Sequence, residues 1–166
     1  MDVVSLAQVI GQLLQKSRLT LAVAESCTGG LLAARITDIP GSSAYFAGGV
    51  IAYSNAIKER LLQVPSSVLE RHGAVSAETA LAMARGVRAL LGVDLALAVT
   101  GIAGPAGGTP EKPVGLVYIA LAWAQGEEGR RFLWSGNRQE NRAWSAQAAL
   151  ELLREYLTTF NGRGNS

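Results

Sequence analysis

The residues Ala24-Glu25-Ser26-Cys27-Thr28-Gly29-Gly30 join two segments of opposite character. Before them, Leu19-Thr20-Leu21-Ala22-Val23 is short, apolar and bounded, the pattern of a buried strand. After them, Leu31-Leu32-Ala33-Ala34-Arg35-Ile36 reads as a helix. Three small polar side chains therefore sit on a tight strand-to-helix turn. Glycines open backbone conformations closed to other residues and let a ligand approach closely. The first helical turn carries N–H groups without partners, which favour negative charge above the strand. A hydroxyl there is placed to act as a nucleophile, with an oxyanion site beside it. The same pattern also fits a purely structural turn, in which Ser26 or Thr28 caps the helix and Gly29-Gly30 allows close packing.

The rest of the chain alternates helix and strand. Val4, Leu6, Ile10, Leu13 and Leu14 fall near one face of a helix over 3–16. The helix after the turn ends by Pro40, because a proline pushes its predecessor out of helical space. Residues 45–53 predict a strand, with Gly48-Gly49 as a bulge or a point of close approach. Ser54 caps a helix over 55–62. A short helix opens at Pro65 and stops at His72-Gly73, and a longer one runs from Ser76 to Leu91. Residues 94–100 predict a buried strand that ends in a long glycine-proline loop, 101–110. Residues 114–124 and 130–134 predict a hairpin around 125–129. A helix over 139–160 follows, and 161–166 are expected to fray. The expected organisation is one domain over 1–160. Its fold class is α/β: a three-layer α/β/α sandwich with a mixed, mostly parallel sheet.

Composition narrows the function. Hydrophobic residues make up 49% and charged ones 17%, so most of the chain can bury a core. The formal net charge is +2 and no basic run exceeds Arg130-Arg131, which gives no footprint for nucleic acid. One cysteine and one histidine do not supply the usual ligand set of a zinc site. No basic leader and no apolar run of roughly 20 residues is present, so the expected location is cytoplasmic, with no membrane partner.

In α/β sheets, ligands collect where the carboxyl ends of strands meet loops. Ser26, Tyr53-Ser54 and Thr100-Gly101 all fall at predicted strand ends. A serine nucleophile needs a base. His72 sits where a helix stops, a structural position. Lys58 lies one turn into the helix after Tyr53-Ser54, so its amine can reach back toward a strand end. It also fits a solvated lysine beside Glu59 and Arg60. Cys27 is a rival nucleophile at a helix start, or simply a small buried side chain. The loop from Gly101 is not a Walker A loop, since Lys112 is followed by Pro113, but its N–H groups could cradle a single phosphate.

Four motifs in order carry a resemblance: Ala24 to Gly30; Tyr53-Ser54-Asn55 with Lys58; His72-Gly73-Ala74-Val75-Ser76; and Thr100-Gly101-Ile102-Ala103-Gly104-Pro105 through Gly107-Gly108-Thr109 to Lys112-Pro113-Val114-Gly115. Together they resemble the CinA C-terminal domain family over nearly the whole chain. The resemblance implies nicotinamide-mononucleotide deamidation in pyridine-nucleotide recycling, without metal or cofactor. It implies a serine nucleophile at Ser26 and a lysine base at Lys58, with supporting roles at Tyr53, Thr100 and Arg138. Thr28, Gly29, Gly30 and Gly101 complete the expected substrate-binding set. Ala52, Ile57 and Gln63 stand where the family more often has threonine, alanine and glycine. Its larger members carry a further domain related to molybdopterin-binding proteins, not included in these residues. The expected partners are the small nucleotide substrate and further copies of the chain, as a homodimer or higher homo-oligomer. The alternative is a non-catalytic, competence-associated nucleotide-binding module using the same loops.

Overall fold

The computed structural model describes residues 3–163. In chain order the elements are α1 (Val3–Ser17), β1 (Leu21–Glu25), α2 (Leu31–Thr37), β2 (Phe46–Ile51), α3 (Asn55–Leu62), α4 (Ser66–His72), α5 (Ala77–Leu91), β3 (Leu95–Gly101), β4 (Leu116–Trp123), β5 (Gly126–Leu133) and α6 (Arg138–Arg163). They form a five-stranded sheet in the order β2-β1-β3-β4-β5, covered by helices on both faces. This is the expected three-layer α/β/α arrangement. The sheet is less parallel than expected: β1 runs parallel to β2 and β3, while β3-β4 and β4-β5 are antiparallel. The reason is connectivity. The segment between β3 and β4 contains no helix to carry the chain back across the sheet, so β4 returns beside β3 in the opposite sense.

Side-chain size alternates along the central strands, and this sets the two layers. Leu21, Val23, Leu95, Leu97, Val99, Ile119 and Leu121 face the cluster shared with α1, α2 and α6. Ala22, Ala24, Ala96, Ala98, Ala120 and Ala122 face the cluster of α5, with Met83, Ala84 and Val87. Both faces are buried, so hydropathy runs unbroken and only size keeps the two-residue period. The alanine face lets α5 lie close to the sheet. Next to α5 lies α3, and a Cβ at Gly86 would come within 1.9 Å of the Leu62 carbonyl oxygen. The end of α3 is thus fixed against α5 by backbone contact.

Local expectations meet the structure in detail. Gly48-Gly49 is both bulge and close approach. The β1-β2 register slips between Leu21 and Ala22, and a Cβ at Gly49 would come within 2.7 Å of Val23 Cγ2. Ser54 and Ser76 cap their helices, accepting from the Ile57 and Thr79 N–H groups at 3.2 and 3.1 Å. Gln63 closes α3 at φ 54°, a left-handed conformation glycine adopts freely. The hairpin is tighter than expected. Only Ala124-Gln125 turn, and Gly126 to Gly129 belong to β5, because an exposed edge strand accepts charged residues that a half-buried one would not. The last helix begins at Arg138 and continues to Arg163, so 161–163 are helical rather than frayed; 164–166 lie outside the described residues. No helix among the described residues is long and apolar enough to cross a membrane.

A Gly86→Ala substitution would ordinarily favour a helix by about 1 kcal/mol. Here the added methyl has only the Leu62 backbone to enter. We expect overpacking of about 1–3 kcal/mol to win, lowering the melting temperature by several degrees in a thermal scan followed by circular dichroism. An unchanged or raised melting temperature would show that α3 yields at no cost.

Candidate active site

Because β2, β1 and β3 are parallel, their carboxyl ends share one edge of the sheet. A cavity of about 190 Å³ opens there, with Ser26, Tyr53, Lys58, Thr100, Gly101 and Arg138 in its wall, together with Cys27, Asn55 and Ala103. The Ser26 N–H donates to the Val99 carbonyl at 3.0 Å, extending the β1-β3 ladder by one residue beyond β1. The chain then leaves the sheet at Ser26 itself.

Lys58 is 1% exposed, and its Nζ lies 3.1 Å from Ser26 Oγ. The same amine donates to the carbonyls of Ala52 at 2.9 Å and Tyr53 at 3.3 Å. Among the described residues Lys58 makes no ion pair. Burial pushes the amine below its ordinary range, opposed weakly by the nearby Cys27. Arg138 does not contribute to that shift; desolvation is the cause. A neutral amine has two N–H donors and one lone pair. Two carbonyls and one hydroxyl proton match that set, with the lone pair on Ser26.

Cys27 is poorly suited as a rival. Its thiol is buried, and burial pushes it up to about 12, far from a thiolate at neutral pH. His72 is exposed, faces Glu78 at 3.7 Å between Nδ1 and Oε2, and does not line the cavity. Its carbonyl instead accepts from the Lys112 amine.

The expected binding residues divide. Thr100, Gly101 and Arg138 line the cavity; Thr28, Gly29 and Gly30 do not. Thr28 is fully buried, and its hydroxyl has no partner among the described residues. Gly29 and Gly30, at φ 57° and 104°, turn the chain away from the cavity into α2. The Gly29 N–H, expected to serve an oxyanion, donates to the Ser26 carbonyl at 3.1 Å, whereas the Cys27 N–H meets no main-chain acceptor among the described residues. Tyr53 touches the dyad through its carbonyl. Its ring is 62% exposed at the rim, where the hydroxyl accepts from Arg138 at 3.2 Å. Arg138 also donates to the Gly104 carbonyl at 2.7 Å. The Thr100 hydroxyl donates to the Ala74 carbonyl at 2.7 Å, holding the 73–76 loop against the cavity.

Two charged residues not singled out from the sequence brace the nucleophile turn. Glu25, 1% exposed, accepts the N–H groups of Leu32 and Ala33 at 2.9 and 3.0 Å. It takes the place of the side-chain cap that Gly30 cannot supply. A buried acid next to a helix that starts on glycine was the available signal. Arg142 of α6 donates to the carbonyls of Cys27 at 3.1 Å and Thr28 at 2.8 Å. It lies more than a hundred residues away, and nothing local announces it.

A buried lysine held below its ordinary range has a signature in stability. The folded amine loses its proton at lower pH than the unfolded one, whose ordinary value is 10.5. Between those two values the unfolded chain binds more protons, so stability rises with pH across that window. Below the folded value the buried charge costs most; above the unfolded value the cost is gone. Relative to Lys58→Met, the unsubstituted chain should therefore gain melting temperature as the pH is raised toward the unfolded value of 10.5. A difference that stays flat over that range would contradict the assignment.

A model of the CinA C-terminal domain matches residues 3–157. A CinA-like protein of Desulfotalea psychrophila is 53% identical over 153 residues, covering 92% of this chain and 37% of its own length. A CinA-like protein of Citrifermentans bemidjiense is 58% identical over 147 residues, covering 89% and 36%. The chain thus spans little more than a third of the length of these curated relatives. Among solved structures, the competence/damage inducible protein CihA from Agrobacterium tumefaciens superposes with a TM-score of 0.91 at 41% identity, over 95% of this chain and 96% of that one. A CinA superfamily protein from Klebsiella pneumoniae gives 0.92 at 32% identity, over 96% and 99%.

Proposed function

We propose that this chain, which belongs to the CinA C-terminal domain family, is an amidohydrolase that converts nicotinamide mononucleotide to nicotinate mononucleotide and ammonia. The observation that carries this reading is the contact of 3.1 Å between Lys58 Nζ and Ser26 Oγ, made by a buried amine held below its ordinary range at the wall of a cavity. A module that only bound nucleotide would be served as well by a solvated cation at the rim, whereas an amine desolvated against a serine costs stability.

In the proposed reaction Ser26 Oγ attacks the carboxamide carbon and its proton passes to Lys58. The lysine then gives that proton to the departing nitrogen, which leaves as ammonia. Water attacks the resulting ester with Lys58 again as base, and the acid is released from Ser26. Positioned proton transfer of this kind contributes roughly 10²–10⁴-fold. The Cys27 N–H, in the cavity wall and without a main-chain acceptor among the described residues, is the donor assigned to the oxyanion. At about 190 Å³ the cavity is smaller than the roughly 300–1,000 Å³ that encloses a whole small ligand. It takes the amide and ring, leaving the sugar phosphate across the mouth. There the guanidinium of Arg138, which forms no ion pair among the described residues, suits a phosphate.

The test is ammonia release from nicotinamide mononucleotide by the purified chain, with folding checked by circular dichroism. Ser26→Ala and Lys58→Arg should each lose about 10³-fold or more, because nucleophile and base act as a unit and guanidinium cannot accept the proton. Cys27→Ala and His72→Ala should stay within a few-fold of the parent. An active Lys58→Arg beside a dead His72→Ala would sink the serine–lysine mechanism.

The rate should also rise with pH along one limb set by Lys58, whose neutral form is the base. Arg138→Ala should raise the Michaelis constant more than it lowers turnover. Equal losses in both would move Arg138 from binding to chemistry.

A further inference from the structure

We propose that β5 is a dimerisation edge, pairing antiparallel with β5 of a second copy about a two-fold axis through Gly129. The strand is the last of the sheet, and its outer side has no strand neighbour. Which of its groups face outward follows from the ladder. The Trp134 N–H donates to the Gly115 carbonyl at 2.9 Å, continuing the pairing in which Leu133 faces Leu116. Backbone groups alternate sides along a strand. Even-numbered residues of β5 therefore bond inward to β4, and Glu127, Gly129, Arg131 and Leu133 turn their N–H and carbonyl groups to the open edge. None of the four donates or accepts a main-chain hydrogen bond elsewhere among the described residues.

Such an edge invites a partner, and proteins commonly blunt it with repelling charges, lysine above all. The charges here do the reverse. The strand begins Gly126-Glu127-Glu128-Gly129-Arg130-Arg131, which is antisymmetric in charge about Gly129. Two-fold antiparallel pairing keeps each side chain on its own face, so only registers centred on a residue are allowed. Centred on Gly129, Glu128 meets Arg130 and Glu127 meets Arg131, each twice. Centred one residue either way, Glu128 faces its own copy or Arg130 faces its own copy, and like charges directly opposite are destabilising. The Gly129 register also places outward-facing residues opposite one another. The pairs 127–131, 129–129 and 131–127 each exchange two main-chain bonds, about six in all.

Side chains on the strand are compatible with this. Glu127 reaches Arg85 of α5 at 2.7 Å, and Arg130 reaches Glu155 of α6 at 2.5 Å and Glu128 of its own strand at 3.2 Å. These side chains stand on the two faces of the sheet and leave the backbone edge clear, and in the dimer the exposed Glu128–Arg130 pair is exchanged for two such pairs across the two-fold. Arg131 is exposed and forms no ion pair among the described residues; the partner's Glu127 would supply its carboxylate. No residue of β5 lines the cavity, so the dimer leaves catalysis open.

Sedimentation velocity and light scattering on the whole chain, from about 1 to 100 µM, test this. The unsubstituted chain should be a dimer that weakens with salt. The double variants Glu127→Arg/Glu128→Arg and Arg130→Glu/Arg131→Glu should each dimerise roughly a hundredfold less tightly, and an equimolar mixture should form the heterodimer. Gly129→Pro removes only an outward N–H, so it should fold and be monomeric. It decides the matter if circular dichroism shows the charge variants misfolded. A monomeric parent, folded charge-reversal variants that dimerise as tightly as the parent, a mixture that stays monomeric, or a dimeric Gly129→Pro would each overturn the proposal.

Discussion

A primary amine buried against a serine hydroxyl, with no carboxylate beside it, is the constraint on which the site depends. Putting an ammonium ion in that place would forfeit its hydration, and the two backbone carbonyls of Ala52 and Tyr53 replace only part of it. Desolvation resolves the conflict by holding the amine below its ordinary range, which favours the neutral form that the proposed base requires. The cost is carried by the rest of the domain. Rigid neighbours are needed, because a mobile wall would admit water and return the lysine to its usual state.

That rigidity comes from packing at two scales. The alanine stripe on β1, β3 and β4 lets α5 settle close to the sheet, and Gly86 lets α5 touch the backbone at the end of α3. Lys58 projects from α3, so its reach toward Ser26 is set by small residues far from the chemistry. On the other side, Glu25 anchors the start of α2 and Arg142 anchors two carbonyls of the turn. An acid holds N–H groups and a base holds carbonyls, each matching the polarity of the backbone it meets. Between them the turn after Ser26 has little freedom, which is what a preorganised nucleophile requires.

The two ends of the sheet serve different purposes. Parallel strands β2, β1 and β3 bring three loops to one edge, and that convergence makes the cavity. The antiparallel β4-β5 hairpin adds nothing to the cavity beyond the approach of Val117 to Gly101. It extends the sheet instead and presents a charge-balanced border. The change from parallel to antiparallel pairing at β3-β4 thus separates the chemical half of the domain from the half that faces outward.

From the sequence alone came the order of helices and strands, the three layers, the turn carrying Ser26, and Lys58 within one helical turn of a strand end. These are local signals: period, caps, glycine and proline punctuation, and chain order at strand ends. The Gly29-Gly30 pair was read as a close approach to ligand, but its positive φ angles serve the turn. Tertiary structure decided whether Lys58 was solvated or buried, because burial depends on α5 and the alanine face, not on its neighbours Glu59 and Arg60. It also buried the Cys27 thiol and left His72 outside the cavity. Arg142 became visible only when a helix more than a hundred residues along the chain packed against the turn. Pattern in a chain reports what each segment prefers. The environment of a charge is set by segments distant in sequence, and that environment determines whether an amine acts as an acid or a base.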